Sequence, residues 1–92
     1  MTITEHKFPS GAQEFPLELP VGCQLLQPRA HGPQPVLPVL GDPKAPKQTR
    51  TFLMFGQLNA ANVPNGLDYV GSFDRAGFPY HVFERKAAKA SA

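Results

Sequence analysis

Cysteine, tryptophan, charge and long apolar runs are all scarce in this chain of 92 residues. A single cysteine, Cys23, excludes an internal disulfide and a multi-cysteine zinc site, so a small fold lacks both of its common staples. No stretch approaches the roughly 20 apolar residues of a membrane span. Met1-Thr2-Ile3-Thr4-Glu5-His6-Lys7 is not a basic segment followed by an apolar run, so a soluble chain without an export leader is expected. The three histidines, His6, His31 and His81, never fall at a His-x-His or His-x-x-x-His spacing, so no single element places two ring nitrogens on one metal. The glycines form no phosphate-cradling loop leading into a helix. Neither a metal nor a cofactor is therefore expected.

Proline is abundant instead. Nine of the eleven lie before position 50, and each removes a backbone donor and fixes φ, so long helices are excluded there and strands should be short or lie at edges. At 41% hydrophobic and 17% charged, the chain is that of a single globular domain. Net charge is +2, divided as −1 over residues 1–46 and +3 over 47–92, too mild for the dense basic face of a dedicated nucleic-acid binder.

Period-two alternation supplies the secondary structure. Phe15, Leu17 and Leu19 alternate with Glu14, Pro16 and Glu18, which reads as a strand with one dry face, kept at an edge by Pro16 and Pro20. Cys23–Gln27 and Val36–Leu40 flank Arg29-Ala30-His31-Gly32-Pro33, whose Gly-Pro step signals a turn, and read as a hairpin. Gly41–Lys47 is polar and breaker-rich, hence an exposed loop. Thr49–Phe55 is apolar on both faces, the mark of a central strand. Gly56–Gly66 is a long connection with room for a helical turn over Leu58–Asn62. Asp68–Phe73 and Phe78–Phe83 surround the four-residue loop Asp74-Arg75-Ala76-Gly77 and form a second hairpin. Six short strands without a convincing helix predict an all-β, mainly antiparallel fold over residues 1–85. It is a small meander sheet curling into a sandwich or open barrel, followed by a short basic Ala/Lys tail at 86–92.

Thr51-Phe52-Leu53-Met54-Phe55-Gly56, Leu67-Asp68-Tyr69-Val70-Gly71-Ser72 and Gly77-Phe78-Pro79-Tyr80-His81-Val82-Phe83-Glu84 carry a recognisable cadence. It resembles a family of small, uncharacterised proteins encoded by bacteriophages and prophages, which look like single β domains ending in an aromatic-His-Val-Phe-Glu strand. The chain departs from that pattern in two places. Gly56-Gln57-Leu58-Asn59 replaces a Gly-Thr-Gly-His-like step, and Tyr80 stands where tryptophan often precedes the histidine. The resemblance implies an origin and a fold, not an activity.

Catalytic constellations are weak. Cys23 beside Leu25 and Leu26 reads as a small buried hydrophobe, His81 as a sheet-face histidine with one ring nitrogen hydrogen-bonded, and Asp68, Asp74 and Glu84 as solvated acids at hairpin ends. No enzymatic activity is expected. Seven phenylalanines without a tryptophan are nearly all needed inside. The expectation is a non-catalytic, phage-type accessory protein acting by protein–protein binding, through the Lys44 to Arg50 loop and the Asp74 to Gly77 tip, with Lys44, Lys47, Arg50, Asp74 and Arg75 as contacts. Its partner would be a virion subunit, as in capsid or tail decoration, a host protein that it inhibits, or a second copy of itself. The host cytoplasm, with incorporation into the virion, would be its location. The alternative is single-stranded nucleic-acid binding through Lys44, Lys47, Arg50, Arg75, Arg85 and Lys86, conditional on exposed rings at Phe52, Phe55, Phe78 and Tyr80.

Overall fold

The computed structural model describes residues 1–9, 13–56 and 63–86, and every regular element among them is a β-strand. In chain order these are β1 (Thr2–Lys7), β2 (Glu14–Pro20), β3 (Gln24–Leu25), β4 (Arg29–His31), β5 (Gln34–Gly41), β6 (Lys47–Gly56), β7 (Leu67–Arg75) and β8 (Phe78–Arg85). All pairings are antiparallel, as expected. In sheet I, β1 lies on one side of β5, and β3 and β4 lie on the other; sheet II has the order β2-β6-β8-β7. The expected helical turn over Leu58–Asn62 and residues 87–92 of the tail lie outside the described residues.

One long ribbon organises both sheets. Residues 14–31 run antiparallel to 34–53, from Glu14↔Leu53 through Gln24↔Leu40 to His31↔Gln34, and the ribbon folds over where Pro20–Cys23 meets Gly41–Pro46. Its base is thus part of sheet II and its tip part of sheet I, the bend by which strands switch sheets at a corner. The corner is tight. A Cβ on Gly41 would lie 2.9 Å from the Cβ of Cys23, so only glycine lets the two chains approach there. At the tip, Gly32 has φ +59°, the sign required at the first central position of a two-residue type II′ turn, and Pro33 suits the negative φ of the second.

Two apolar faces close on each other along the molecule's 18 Å short axis, which fits a pair of sheets about 10 Å apart. Phe8, Phe15, Leu19, Leu37, Val39, Phe52, Phe73 and Val82 form one buried cluster between them. Within it the Phe8 and Phe15 rings tilt at 4.8 Å, and Phe15 stacks on Phe52 at 6.4 Å. Five of the seven phenylalanines are buried, Phe83 is half-buried and Phe78 is exposed, so the aromatic side chains do fill the interior. As the sequence pattern predicts, β6 is central and buried on both faces, and β2 is an edge.

Three local expectations change. First, β5 is neither short nor at an edge, although it contains Pro35 and Pro38. Each proline sits where a ladder donor has no strand to meet. Pro38 faces Leu26, in the break between β3 and β4, and accepts its amide at 3.0 Å. Pro35 faces Phe8, just past β1; the Phe8 amide donates to the Pro35 carbonyl at 3.0 Å, but proline cannot return the bond. The Gln34 side chain does so instead, its Nε2 donating to the Phe8 carbonyl at 2.9 Å. Second, Asp74 and Arg75 belong to β7, and the expected four-residue loop is the two-residue turn Ala76-Gly77. Both residues have positive φ, 52° and 82°, as a type I′ turn demands. Alanine is seldom chosen there, because its left-handed backbone costs about 1–2 kcal/mol. Third, β4 takes Arg29–His31 out of the expected turn, and β1 is an additional strand. The latter is exposed along nearly its whole length, so it carries no amphipathic signal, and only the β-branched run Thr2-Ile3-Thr4 hints at it.

Candidate binding surfaces

Because side chains alternate across a strand, the odd-numbered residues of β6 and β8 project from sheet II away from sheet I. Leu53, Phe55, His81 and Phe83 lie on this outer face, and Tyr69 of β7 joins them opposite Phe83. The rings form an edge-on ladder: Phe55 meets Phe83 at 5.8 Å, and Phe83 meets Tyr69 at 5.2 Å. Leu53 and Phe55 are buried, and the cluster reaches solvent at Tyr69, which is 58% exposed. Its hydroxyl lies 3.4 Å from His81 Nδ1. At the rim, Arg85 Nε donates to Glu14 at 2.9 Å, tying β8 to β2 across β6. The face therefore offers solvent the Tyr69 ring, with half-buried His81 and Phe83 beside it and a charged pair at the border.

A second feature is polar. β8 ends at Arg85, whereas β6 continues back to Lys47, which leaves a notch in the plane of sheet II. An open cleft of about 760 Å³ occupies it, with Gln48 and Arg50 on one wall, Asp68, Glu84 and Lys86 on the other, and Gly22 from the corner. Arg50 and Glu84 face each other two-pronged, with Nη2 donating to Oε1 at 2.7 Å and Nε to Oε2. Both are largely covered, their side chains 22% and 15% exposed. Hydrogen bonding to Glu84 raises the Arg50 guanidinium above its ordinary value despite partial burial. Its remaining nitrogen Nη1 points at the Cys23 thiol, 3.7 Å away. Lys86 Nζ stands 3.5 Å from Asp68.

The residues expected to make contacts do not converge. Lys44 and Lys47 lie at the ribbon corner, whereas Asp74 and Arg75 lie at the β7–β8 tip, beyond the opposite end of β6. At about 3.3 Å per residue that separation is roughly 30–35 Å. Arg50 is in a strand, held by Glu84, and not in a loop. For nucleic acid, Arg50, Arg85 and Lys86 are each paired with a carboxylate, and the Phe52 and Phe55 rings are buried. Phe78 is exposed, while Tyr80 is half-buried, stacked on Phe73 at 5.7 Å with the Arg75 guanidinium 5.7 Å from its ring. His81 has the Tyr69 hydroxyl beside it on the outer face, and Cys23 sits with Arg50 on the inner side, so imidazole and thiol do not meet. Among the described residues no three His, Cys, Asp or Glu side chains gather as metal ligands.

Sequence reasoning missed the outer-face ladder as a unit, and its signal was present: an apolar residue at every position of Phe52–Phe55 leaves one pair facing away from the core. Glu5 was missed as well. It holds Arg29 across β5, with His31 Nδ1 at 3.6 Å, and the Arg29 hydrogen bond keeps its carboxyl below the ordinary value. Nothing local in the sequence pairs residues 24 positions apart.

No helix among the described residues is long and apolar enough to cross a membrane. No curated protein and no solved structure matches the chain. A family model does match, over residues 1–92, and the chain belongs to the family described as Domain of unknown function (DUF7352).

Proposed function

We propose that this protein is a non-catalytic binding module that docks another protein on the outer face of sheet II. The observation that carries the reading is the aromatic ladder Phe55–Phe83–Tyr69, which turns away from the inter-sheet core and surfaces at a tyrosine bordered by the Arg85–Glu14 ion pair. Tyrosine in such a patch supplies large contact area at low entropic cost and is enriched among residues that dominate binding energy. The likeness to small phage- and prophage-encoded β domains adds two settings to the proposal. One is decoration or stabilisation of a capsid or tail lattice; the other is occupation of a host protein's working surface in the host cytoplasm. Structural genes beside the coding sequence favour the first setting, and early genes favour the second.

The test is comparative capture. Wild-type protein and Tyr69→Ala, both shown to be folded, are used as bait in lysate of the cells that make the protein, and retained proteins are identified by mass spectrometry. A partner held by wild type and lost at least about 30-fold with Tyr69→Ala is the expected result, the loss typical of an aromatic anchor. Equal retention by both baits sinks the reading, as does binding of single-stranded nucleic acid alone in a retardation assay over a salt series.

A further inference from the structure

The two sheets have four outer edges, and three carry protection. On β2, the Met54 amide donates to the Gln13 carbonyl, so by alternation Phe15, Leu17 and Leu19 also turn their backbone groups to β6. Pro16 and Pro20 therefore face outward, where they offer no donor. The β3/β4 edge of sheet I is broken into pieces of two and three residues. On β7, a register shift between Tyr69 and Gly71 interrupts the ladder, the Ser72 carbonyl accepts from the Gln27 side chain, and Gly71 lies tight against Pro28. These are recognised devices against strand addition.

β1 has none of them. It contains no proline, pairs with β5 without a register shift from Thr2↔Gly41 to Lys7↔Val36, and is almost wholly exposed. The Phe8 amide donates to Pro35, so the even residues of β1 bond inward and the amides of Ile3, Glu5 and Lys7 point to solvent. Their side chains share the outer face of sheet I, with Ile3 60% exposed. Glu5 and Lys7, two positions apart on one face, are charge-complementary under a two-fold axis.

We propose that β1 is a self-association edge, taking β1 of a second copy antiparallel with Glu5 opposite Lys7 of that copy, so that sheet I becomes continuous through the dimer. Two Glu–Lys cross-strand pairs and reciprocal amide–carbonyl bonds at residues 5 and 7 specify the register. His6 falls at the axis; burial and the nearby Lys47 charge lower its pKa, which keeps the two imidazoles from repelling at neutral pH. A ladder of this length is smaller than a standard interface of about 1,600 Å², so association belongs at high micromolar protein. The proposal goes beyond the docking surface on sheet II and uses a different edge, so either can fail without the other.

Sedimentation equilibrium of the full chain from about 10 µM to 1 mM tests it, that range bracketing a weak interface. The expected result is a 10.0 kDa monomer passing to twice that mass. Lys7→Pro removes an outward donor while sparing the inward ladder, and should weaken association at least tenfold. Glu5→Lys and Lys7→Glu should each be monomeric alone, yet form a mixed dimer when combined, because the pairs then become Glu–Lys on both sides. Cooperative thermal unfolding confirms that each variant is folded, and Lys7→Glu, an exposed charge change, keeps the test valid if Lys7→Pro does not fold. A wild type that stays monomeric to 1 mM overturns the proposal. Dimers indifferent to these substitutions, or variants that do not restore each other, overturn it equally.

Discussion

Gln34 stands in for a backbone donor that proline cannot provide, and the substitution of one group by another can be measured. In Gln34→Ala the Phe8 carbonyl loses the Nε2 donor at 2.9 Å, in a part-buried setting and opposite a residue without an amide hydrogen. Leaving a buried acceptor unpaired costs about 1–3 kcal/mol, and partial burial argues for the lower half, about 1–1.5 kcal/mol. For a domain of this size that is a fall in Tm of roughly 4–10 °C. In Pro35→Ala, an amide appears at the ladder position facing the same carbonyl, because the Phe8 amide already donates to the Pro35 carbonyl and only the return bond of that pair is missing. In that background Gln34→Ala should cost only about 0.5 kcal/mol, since the carbonyl keeps a partner. Urea denaturation of the four proteins gives the cycle, and a coupling of about 0.5–1 kcal/mol is expected. Strict additivity, within about 0.3 kcal/mol, would refute the claim that the side chain substitutes for the missing donor.

Other consequences follow from the same geometry. Gly71→Ala places a Cβ 2.8 Å from Pro28 Cδ, a ring fixed to the backbone of the facing sheet; a loss of about 1–3 kcal/mol in chemical denaturation is expected, and an unchanged midpoint would show that the sheets can part there freely. Arg50→Met strands the mostly covered Glu84 carboxylate and should cost about 1–3 kcal/mol, whereas Arg50→Met with Glu84→Leu should recover most of it; a double variant as unstable as the single would mean the ion pair is worth its full Coulombic attraction. The His6 pKa lies below 6.5, through burial first and the Lys47 charge second, so the unfolded chain takes up a proton that the fold resists. Its contribution is full above the unfolded value and is lost as pH falls through 6.5 toward the folded value, so Tm should drop across that window in wild type and less in His6→Asn. Glu5, lowered by Arg29, adds a further loss at more acidic pH, as its carboxylate protonates below the unfolded value of about 4.3.

Much of the candidate binding surface can be read from the chain once β6 is recognised as apolar on both faces, since Leu53 and Phe55 must then line whichever face is not the core. That Tyr69 and Phe83 complete the ladder depends on the register of β7 against β8, including the shift near Val70, which no local pattern specifies. The basic residues misled for a similar reason. Arg50, Arg85 and Lys86 look free in the sequence, yet their carboxylate partners lie 34, 71 and 18 positions away in the chain.

By itself the sequence determined the β class, the central place of Thr49–Phe55, the proline-blunted β2 edge and the burial of most phenylalanines. Alternation, donor loss at proline and aromatic volume are properties of neighbouring residues and need no partner to be named. Only the tertiary structure decided that a single ribbon bends at Gly41 to serve two sheets, that β1 is a strand, and that Gln34 completes the bond Pro35 cannot make. Each of these depends on which distant backbone comes to lie alongside, and a strand without a buried face of its own is held by its neighbour's amides and carbonyls, not by any periodicity of its side chains.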